Sequence, residues 1–363
     1  MIKSNRFDHR LANISSETWS KIAKIDEIKG RWIGGINLNP QILGRLRKSV
    51  LITSAGASTR IEGSKLTDED VEKLIQGLKI DKWKSRDEQE VRGYYELLEN
   101  VFASCLSAEA KAKAGETLKL SENSIKHFHN EILKYVSKDE KHKGEYKGMP
   151  NNVVMKDEKG NEIGTVFKTA PPYLTPKKMQ ELLDWTQKAL EEKKVHPLLA
   201  VGNFVVEFLN IHPFQDGNGR LSRILTNLLL LKEGYLYMPY VSHEKLIEDN
   251  KDSYYIALRR SQKTFGARNE NITDWLEYFL DIFLKQSEMA VELLESEQVE
   301  KLLSPKQLSI WDYLQTVFEA APGEIAEKTG VARPTVNQAL TKLLKLKRIE
   351  KIGAGRGTRY RKL

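Results

Sequence analysis

The sequence predicts a mainly α-helical protein with a short β-hairpin inside its main body and a small helix-and-hairpin module at its carboxy terminus. Three observations predict it. Apolar residues recur at three- and four-residue intervals through most of the chain. One central stretch, "NNVVMKDEKGNEIGTVFKTAPPYLTP", breaks that period with two β-prone runs around a turn-forming "DEKGNE". The last sixty residues change both rhythm and charge.

A chain of 363 residues, 40% hydrophobic and 30% charged, is long enough for two or three globular domains, each with its own core. The first run to justify is "ASTRIEG", Ala57 to Gly63, where a glycine follows a helical pattern and can end it. Next come "SIKHFHNEILKYVS", the hairpin at Val153 to Lys168, "TPKKMQELLDWTQKALEEK" and "HPLLAVGNFVVEFLNI". His127 and His129 point apart on their helix and read as core or surface histidines rather than a metal pair. A further helix follows "DGNGR", amphipathic with Leu221, Ile224, Leu225, Leu228 and Leu229 on its apolar side. "KDSYYIALRR" and a long helix from Thr273 to about Leu303 complete the body.

At the carboxy terminus, "SPKQLSIWDYLQTVF", "PGEIAEKTG" and "ARPTVNQALTKLLKLKR" read as three short helices, and "RIEKIGAGRGTRYRKL" as a hairpin with a Gly-rich tip. That order is the winged helix-turn-helix pattern, with Thr335 to Lys347 as recognition helix and Ala354 to Gly357 as wing tip. Residues 301–363 hold thirteen Lys and Arg against five Asp and Glu, so the whole net charge of +8 sits here, and the first 300 residues balance at 45 of each sign. A basic end on a neutral body suggests an acidic partner, with Arg333, Lys342, Arg356, Arg359 and Arg361 as candidate contacts to DNA or to a docking protein. The expected division is 1–100, 101–290 and 291–363.

Single Cys105 excludes an internal disulfide and a cysteine-based zinc cluster. No apolar run suits a signal peptide or a membrane span, so a cytoplasmic protein without a membrane partner is expected.

The chemistry is concentrated between His212 and Arg223, "HPFQDGNGRLSR". Backbone N–H groups of Gly217, Asn218 and Gly219 converge at the positive end of the helix that follows, a nest that binds phosphate. Arg220 and Arg223 lie three apart, so both side chains are expected to lean over that same terminus, their planar forks suited to phosphoryl oxygens. Asp216 is odd beside so many anions unless a magnesium ion, brought by a nucleotide, neutralises it. His212 has the ordinary imidazole range and can accept a proton at neutral pH. A base, a metal ligand and a polyphosphate cradle are the parts for transferring a phosphate-containing group to a hydroxyl.

This run resembles the signature of the Fic family, HPFx(D/E)GNGRxxR, at every position. The resemblance implies a Fic-type helical bundle and AMPylation, in which AMP passes from ATP to a Ser, Thr or Tyr hydroxyl of a target protein and pyrophosphate leaves. By that likeness the chain is a protein adenylyltransferase, a nucleotidyltransferase using ATP and Mg. His212 would deprotonate the target hydroxyl and Asp216 hold magnesium. Asn218 would steady the α-phosphate, the Gly217 to Gly219 nest take the β-phosphate, and Arg220 and Arg223 the outer phosphates.

Ser58, Glu62 and Gly63 resemble the family's inhibitory-helix motif, placed amino-terminal to the core. A carboxylate paired with Arg223 would take the γ-phosphate's place and hold ATP in a pose unfit for in-line attack. The hairpin resembles the family's target-docking flap, with Thr165, Val166 and Phe167 pairing to the target by main chain. "GEYK" resembles a Gly-x-x-Arg lead-in with Lys147 in the arginine's place, and no role follows for it. Tyr254 or Tyr255 would stack on adenine. Two other readings stay open: removal of AMP from a modified protein, with Glu62 positioning water, and a DNA-binding transcriptional regulator working through the winged helix. A second copy of the chain, as a homodimer, is a further candidate partner.

Overall fold

The computed structural model describes residues 5–35, 40–77, 85–112, 120–136, 141–151, 153–156, 162–346, 348–353 and 355–362. The chain divides into two compact units, Met1–Ala290 and Val291–Leu363.

The first unit opens with helices α1 (Arg6–Arg10), α2 (Ser16–Gly35), α3 (Pro40–Ile61), α4 (Asp68–Gln76), α5 (Arg86–Ala112) and α6 (Glu122–Ile132). Strands β1 (Val153–Lys156) and β2 (Glu162–Phe167) follow, then α7 (Thr175–Glu192), α8 (Pro197–Ile211), α9 (Asn218–Lys232), α10 (His243–Asp249) and α11 (Lys251–Gln262). Helix α12 runs Thr273–Leu302 and contains the division between the units.

Helices α8 and α9 form the centre. Every residue of α8 from Leu198 to Ile211 is buried, and α9 is buried from Arg220 to Leu231. The amphipathic helix expected after "DGNGR" is therefore enclosed on all sides, because α3, α5, α6 and α8 pack around it. Two of its buried polar residues bond within the helix, Thr226 Oγ1 donating to Ser222 O and Asn227 Nδ2 to Arg223 O, and Asn227 Nδ2 also donates to Glu244 Oε1 at 2.7 Å. Near the amino terminus the fully buried guanidinium of Arg10 reaches Glu207 at 2.8 Å, Glu270 at 2.5 Å and the Asn203 side chain at 3.2 Å, pinning α1 to α8.

Strands β1 and β2 pair antiparallel, Val153 with Phe167 and Val154 with Thr165, so Val166 is the extra residue of a bulge. Strand β2 runs against α11. The turn at 157–161 and the side chains of Thr165, Val166 and Phe167 lie outside the described residues.

The second unit holds α13 (Pro305–Thr316), α14 (Pro322–Thr329), α15 (Arg333–Lys345) and an antiparallel pair, β3 (Ile349–Ile352) with β4 (Arg359–Lys362). Its core gathers Ile310, Trp311, Leu314, Ile325, Val336, Leu340, Leu343 and Ile349. A bridge from Ala320 to Tyr360 ties the hairpin to the α13–α14 connection.

Candidate active site

The loop from His212 to Gly217 joins the two central helices. His212 ends α8 in the left-handed region, φ 52° and ψ 61°, a conformation that costs a non-glycine residue about 1–3 kcal/mol unless its surroundings hold it. They do. His212 N–H donates to Phe208 O at 2.9 Å, and Lys147 N–H donates to Pro213 O at 2.9 Å. Asn151 Nδ2 donates to Phe214 O at 2.5 Å and to His212 O at 3.3 Å. Asn218 closes the loop upon itself, accepting from Phe214 N–H at 2.9 Å and donating to Phe214 O at 2.8 Å. Its side chain is thus committed to the loop's shape.

His129, fully buried on α6, adds a second hold. Its ring lies flat on Phe214, centroids 3.8 Å apart. Nδ1 accepts from Gly144 N–H at 2.9 Å, so Nε2 carries the proton and donates to Asp216 O at 3.0 Å. Burial, opposed by that bond, pushes His129 down to about 4. His127 is exposed.

The His212 imidazole lies in the cleft. Nδ1 donates to Leu209 O at 3.3 Å, which leaves the ring's lone pair on Nε2. Burial first, then the positive charge of Lys147, outweigh the Leu209 bond and hold the imidazole down at about 4. At neutral pH it is an uncharged base.

Asp216 stands in a ring of alternating charge. Its Oδ2 meets Arg86 Nη2 at 2.5 Å and Arg220 Nη2 at 3.1 Å, Arg86 Nε meets Glu90 at 2.7 Å, and Arg220 Nη1 meets Glu90 at 2.9 Å. Burial raises the Asp216 carboxyl, but Arg220, the Gly217 N–H and Arg86 together hold it below its usual range. It is ionised and half exposed, and the described residues contain no cluster of three ligating side chains. An ionised carboxylate lining a cleft of about 310 Å³ is the kind of oxygen donor that could hold a hard cation such as magnesium.

Arg220 and Arg223 diverge rather than lean together. Arg223, 2% exposed, crosses to α3: Nε donates to Ser58 Oγ and Nη2 to Ser58 O, both at 2.8 Å, and Nη2 meets Glu62 Oε1 at 2.8 Å. Its buried Nη1 has no hydrogen-bond partner among the described residues. Glu62 lies one residue past the end of α3, in a turn where Ser64 N–H reaches back to Thr59 O at 3.1 Å and Gly63 takes φ 108°. Gly63 ends the helix and Glu62 points inward.

Glu62, His212, Asp216, Gly217, Gly219 and Arg220 share one cleft of about 310 Å³ with Tyr254 and Tyr255. Tyr254 is 4% exposed and sits edge-on to Trp275, with ring centroids 5.8 Å apart. Tyr255 OH donates to Ile61 O at 3.4 Å. Gln262, two turns beyond Tyr254 on the same face of α11, also lines the cleft, and neither atom of its buried amide has a partner among the described residues.

Sequence reasoning missed Gln262, whose i+8 spacing from Tyr254 was the available signal. It missed Arg86 and Glu90, whose i, i+4 spacing gave no hint of a partner 130 residues away. It also missed His129, Asn151 and the bonding of Lys147.

In the second unit, Arg359 meets Glu319 at 2.9 Å and Glu324 at 2.8 Å, and Arg361 pairs with Glu350. Lys342 donates to Gln307 at 3.4 Å, and Arg333 is exposed. Lys347, Ala354 and the Arg356 side chain lie outside the described residues. The exposed face of α15 carries Asn337, Gln338 and Thr341 beside Arg333.

The sequence model of the Fic/DOC family matches residues 119–230. A probable protein adenylyltransferase of Aquifex aeolicus is 26% identical over 194 residues, 53% of this chain and 56% of that protein. A Fido domain-containing protein of Dictyostelium discoideum is 32% identical over 108 residues, 28% of this chain and 68% of that protein. The crystal structure of a Fic family protein from Desulfovibrio desulfuricans G20 covers 97% of each chain with a TM-score of 0.60 and 25% identity. The chain spans about half the length of the Aquifex relative.

Proposed function

The chain belongs to the Fic/DOC family, and on that premise we propose that it is a protein adenylyltransferase, moving AMP from ATP to a Ser, Thr or Tyr hydroxyl of a target protein and restrained by Glu62. One observation carries the reading: the Glu62 carboxylate sits on Arg223 at 2.8 Å inside the cleft that holds the neutral His212 base. A carboxylate in that position occupies ground that a terminal phosphate would need.

In the transfer, the target hydroxyl oxygen bonds to the α-phosphorus while its proton passes to His212 Nε2. The bond from that phosphorus to the bridging oxygen breaks, and its electron pair leaves on pyrophosphate. Asp216 would hold magnesium, which neutralises phosphate charge when bound. The first turn of α9 and the open Arg223 Nη1 suit the outer phosphates once Glu62 withdraws. A buried amide with both donor and acceptor open, on Gln262, suits the donor-and-acceptor edge of adenine, with Tyr254 and Tyr255 beside it.

Residues 1–100 would carry the restraint, 101–290 the catalytic body, and 291–363 a winged-helix module that meets DNA or a docking protein. The test uses ATP labelled on the α-phosphate. Label on protein that rises with Glu62→Gly and vanishes with His212→Ala supports the reading. Label from the γ-phosphate alone overturns AMP transfer.

A further inference from the structure

Lys147 is 4% exposed, and a buried ammonium is costly unless its donors are met. All three are. Nζ donates to Asn151 Oδ1 at 2.7 Å, Thr169 Oγ1 at 2.8 Å and Ile211 O at 3.0 Å. Thr169 Oγ1 in turn donates to Asn151 Oδ1 at 2.9 Å. Asn151 stands two residues before β1 and Thr169 two residues after β2, so both ends of the hairpin converge on one cation. That cation caps the negative end of α8 one residue before His212.

The same cluster satisfies four successive carbonyls of the catalytic loop. Ile211 O takes Lys147 Nζ, His212 O and Phe214 O take Asn151 Nδ2, and Pro213 O takes the Lys147 backbone N–H. Neutralising the cation would loosen the Asn151 amide and, through it, the left-handed turn at His212. Lys147 is not among the residues lining the cleft, so it acts on the base and not on the nucleotide.

We propose that Lys147 is the positioning residue that fixes His212 for proton transfer and ties its orientation to the flap. The proposal rests on the adenylyltransferase reading for its kinetic test. Burial, helped by Lys178 on α7, pushes the Lys147 ammonium down to about 8. The charged or titratable groups that face it are Lys178 and His212, while Asn151 and Thr169 are neutral. A lysine so placed gives up its charge just above neutral pH; an arginine would not.

The experiment compares Lys147→Met and Lys147→Arg in the full chain. AMP transfer is measured in a Glu62→Gly background from pH 6 to 10. The His212 ring nitrogens are followed by 15N NMR in the absence of ATP. Expected are a fall in kcat of about 100-fold in Lys147→Met with KM for ATP within about twofold, and recovery of most activity in Lys147→Arg. The parent should lose activity through an alkaline limb near pH 8, and that limb should disappear in Lys147→Arg. NMR should show one tautomer in the parent and in Lys147→Arg, and a mixture in Lys147→Met.

Unchanged kcat and an unchanged His212 spectrum in Lys147→Met overturn the proposal. So does loss of circular dichroism signal and ATP binding that Lys147→Arg fails to restore, since the role would then be structural only. If no variant transfers AMP but the His212 spectra differ as expected, the adenylyltransferase reading fails and the positioning role stands.

Discussion

The Glu62 carboxylate lies directly over Gly219: a Cβ built on that glycine would stand 2.2 Å from Glu62 Oε1. The Glu62 side chain and the first turn of α9 therefore occupy contiguous space, and on the proposed reading a phosphate bound at that turn would displace Glu62. Glu62→Gly should raise AMP transfer on the order of 100-fold at fixed ATP, as restoring one site for leaving-group charge would. An unchanged rate in a chain that still binds ATP would remove the restraint from the account.

His212→Ala should lower transfer by about 100-fold to 10,000-fold and leave ATP affinity close to the parent's. The base works only when unprotonated, so activity should persist as pH falls and drop through an acid limb near 4, where burial holds His212. A limb near the ordinary imidazole value of about 6.5 would mean that the ring is solvated in the working state.

If Asp216 holds magnesium as proposed, Arg86 and the metal would compete for one carboxylate oxygen, Oδ2 of Asp216. Because the Arg86 contact is half exposed it is weak, and Arg86→Ala should tighten metal binding by no more than about fivefold. Titration of Mn²⁺ by electron paramagnetic resonance in the presence of a non-hydrolysable ATP analogue measures this. Weaker metal binding in the variant would show instead that Arg86 helps to shape the site.

Acid stability should follow three buried imidazoles, His129, His212 and His243, each held at about 4 by burial. Their folded values lie below the unfolded value of about 6.5, so the unfolded chain binds more protons between those limits. Stability should thus be full above pH 6.5 and decline as pH falls toward 4, with a slope approaching three protons. Urea titrations across that window test it, and a flat profile would mean that these rings are already solvated in the fold.

How much of this was legible follows from the range of each interaction. The loop's chemistry showed in residue types within twelve positions, and α8 and α9 showed in their apolar period. Glu62 was legible as a short pattern and Gly63 as a helix end, while the pairing of Glu62 with Arg223, 161 residues away, came only from the family resemblance. Arg86, Glu90 and Asn151 were illegible for a different reason: each acts on the loop or the first turn of α9, about 60 to 130 residues away, and local propensity carries no trace of such a partner. The enclosure of α9 on every side was also hidden, since its polar residues are met partly within the helix and partly by Ser58, Glu62, Glu90 and Glu244 from distant segments.

For the second unit, affinity for duplex DNA should fall at least tenfold between about 50 and 200 mM salt if DNA is its partner. Arg333→Ala should weaken binding evenly across sequences, whereas Asn337→Ala should relax preference at one position. Binding that ignores salt would assign the module to protein docking.

Since Glu62 stands beyond the last helical residue of α3, withdrawing its carboxylate from Arg223 would not require that helix to leave its packing, and Ser58 would keep its two bonds to Arg223. On the proposed restraint, unwinding the turn from Glu62 to Ser64 would serve, and loop motions of that size generally run over nanoseconds to microseconds, faster than domain movements. A restraint of that kind would behave as a dimmer, its basal output following the fraction of time the turn is open.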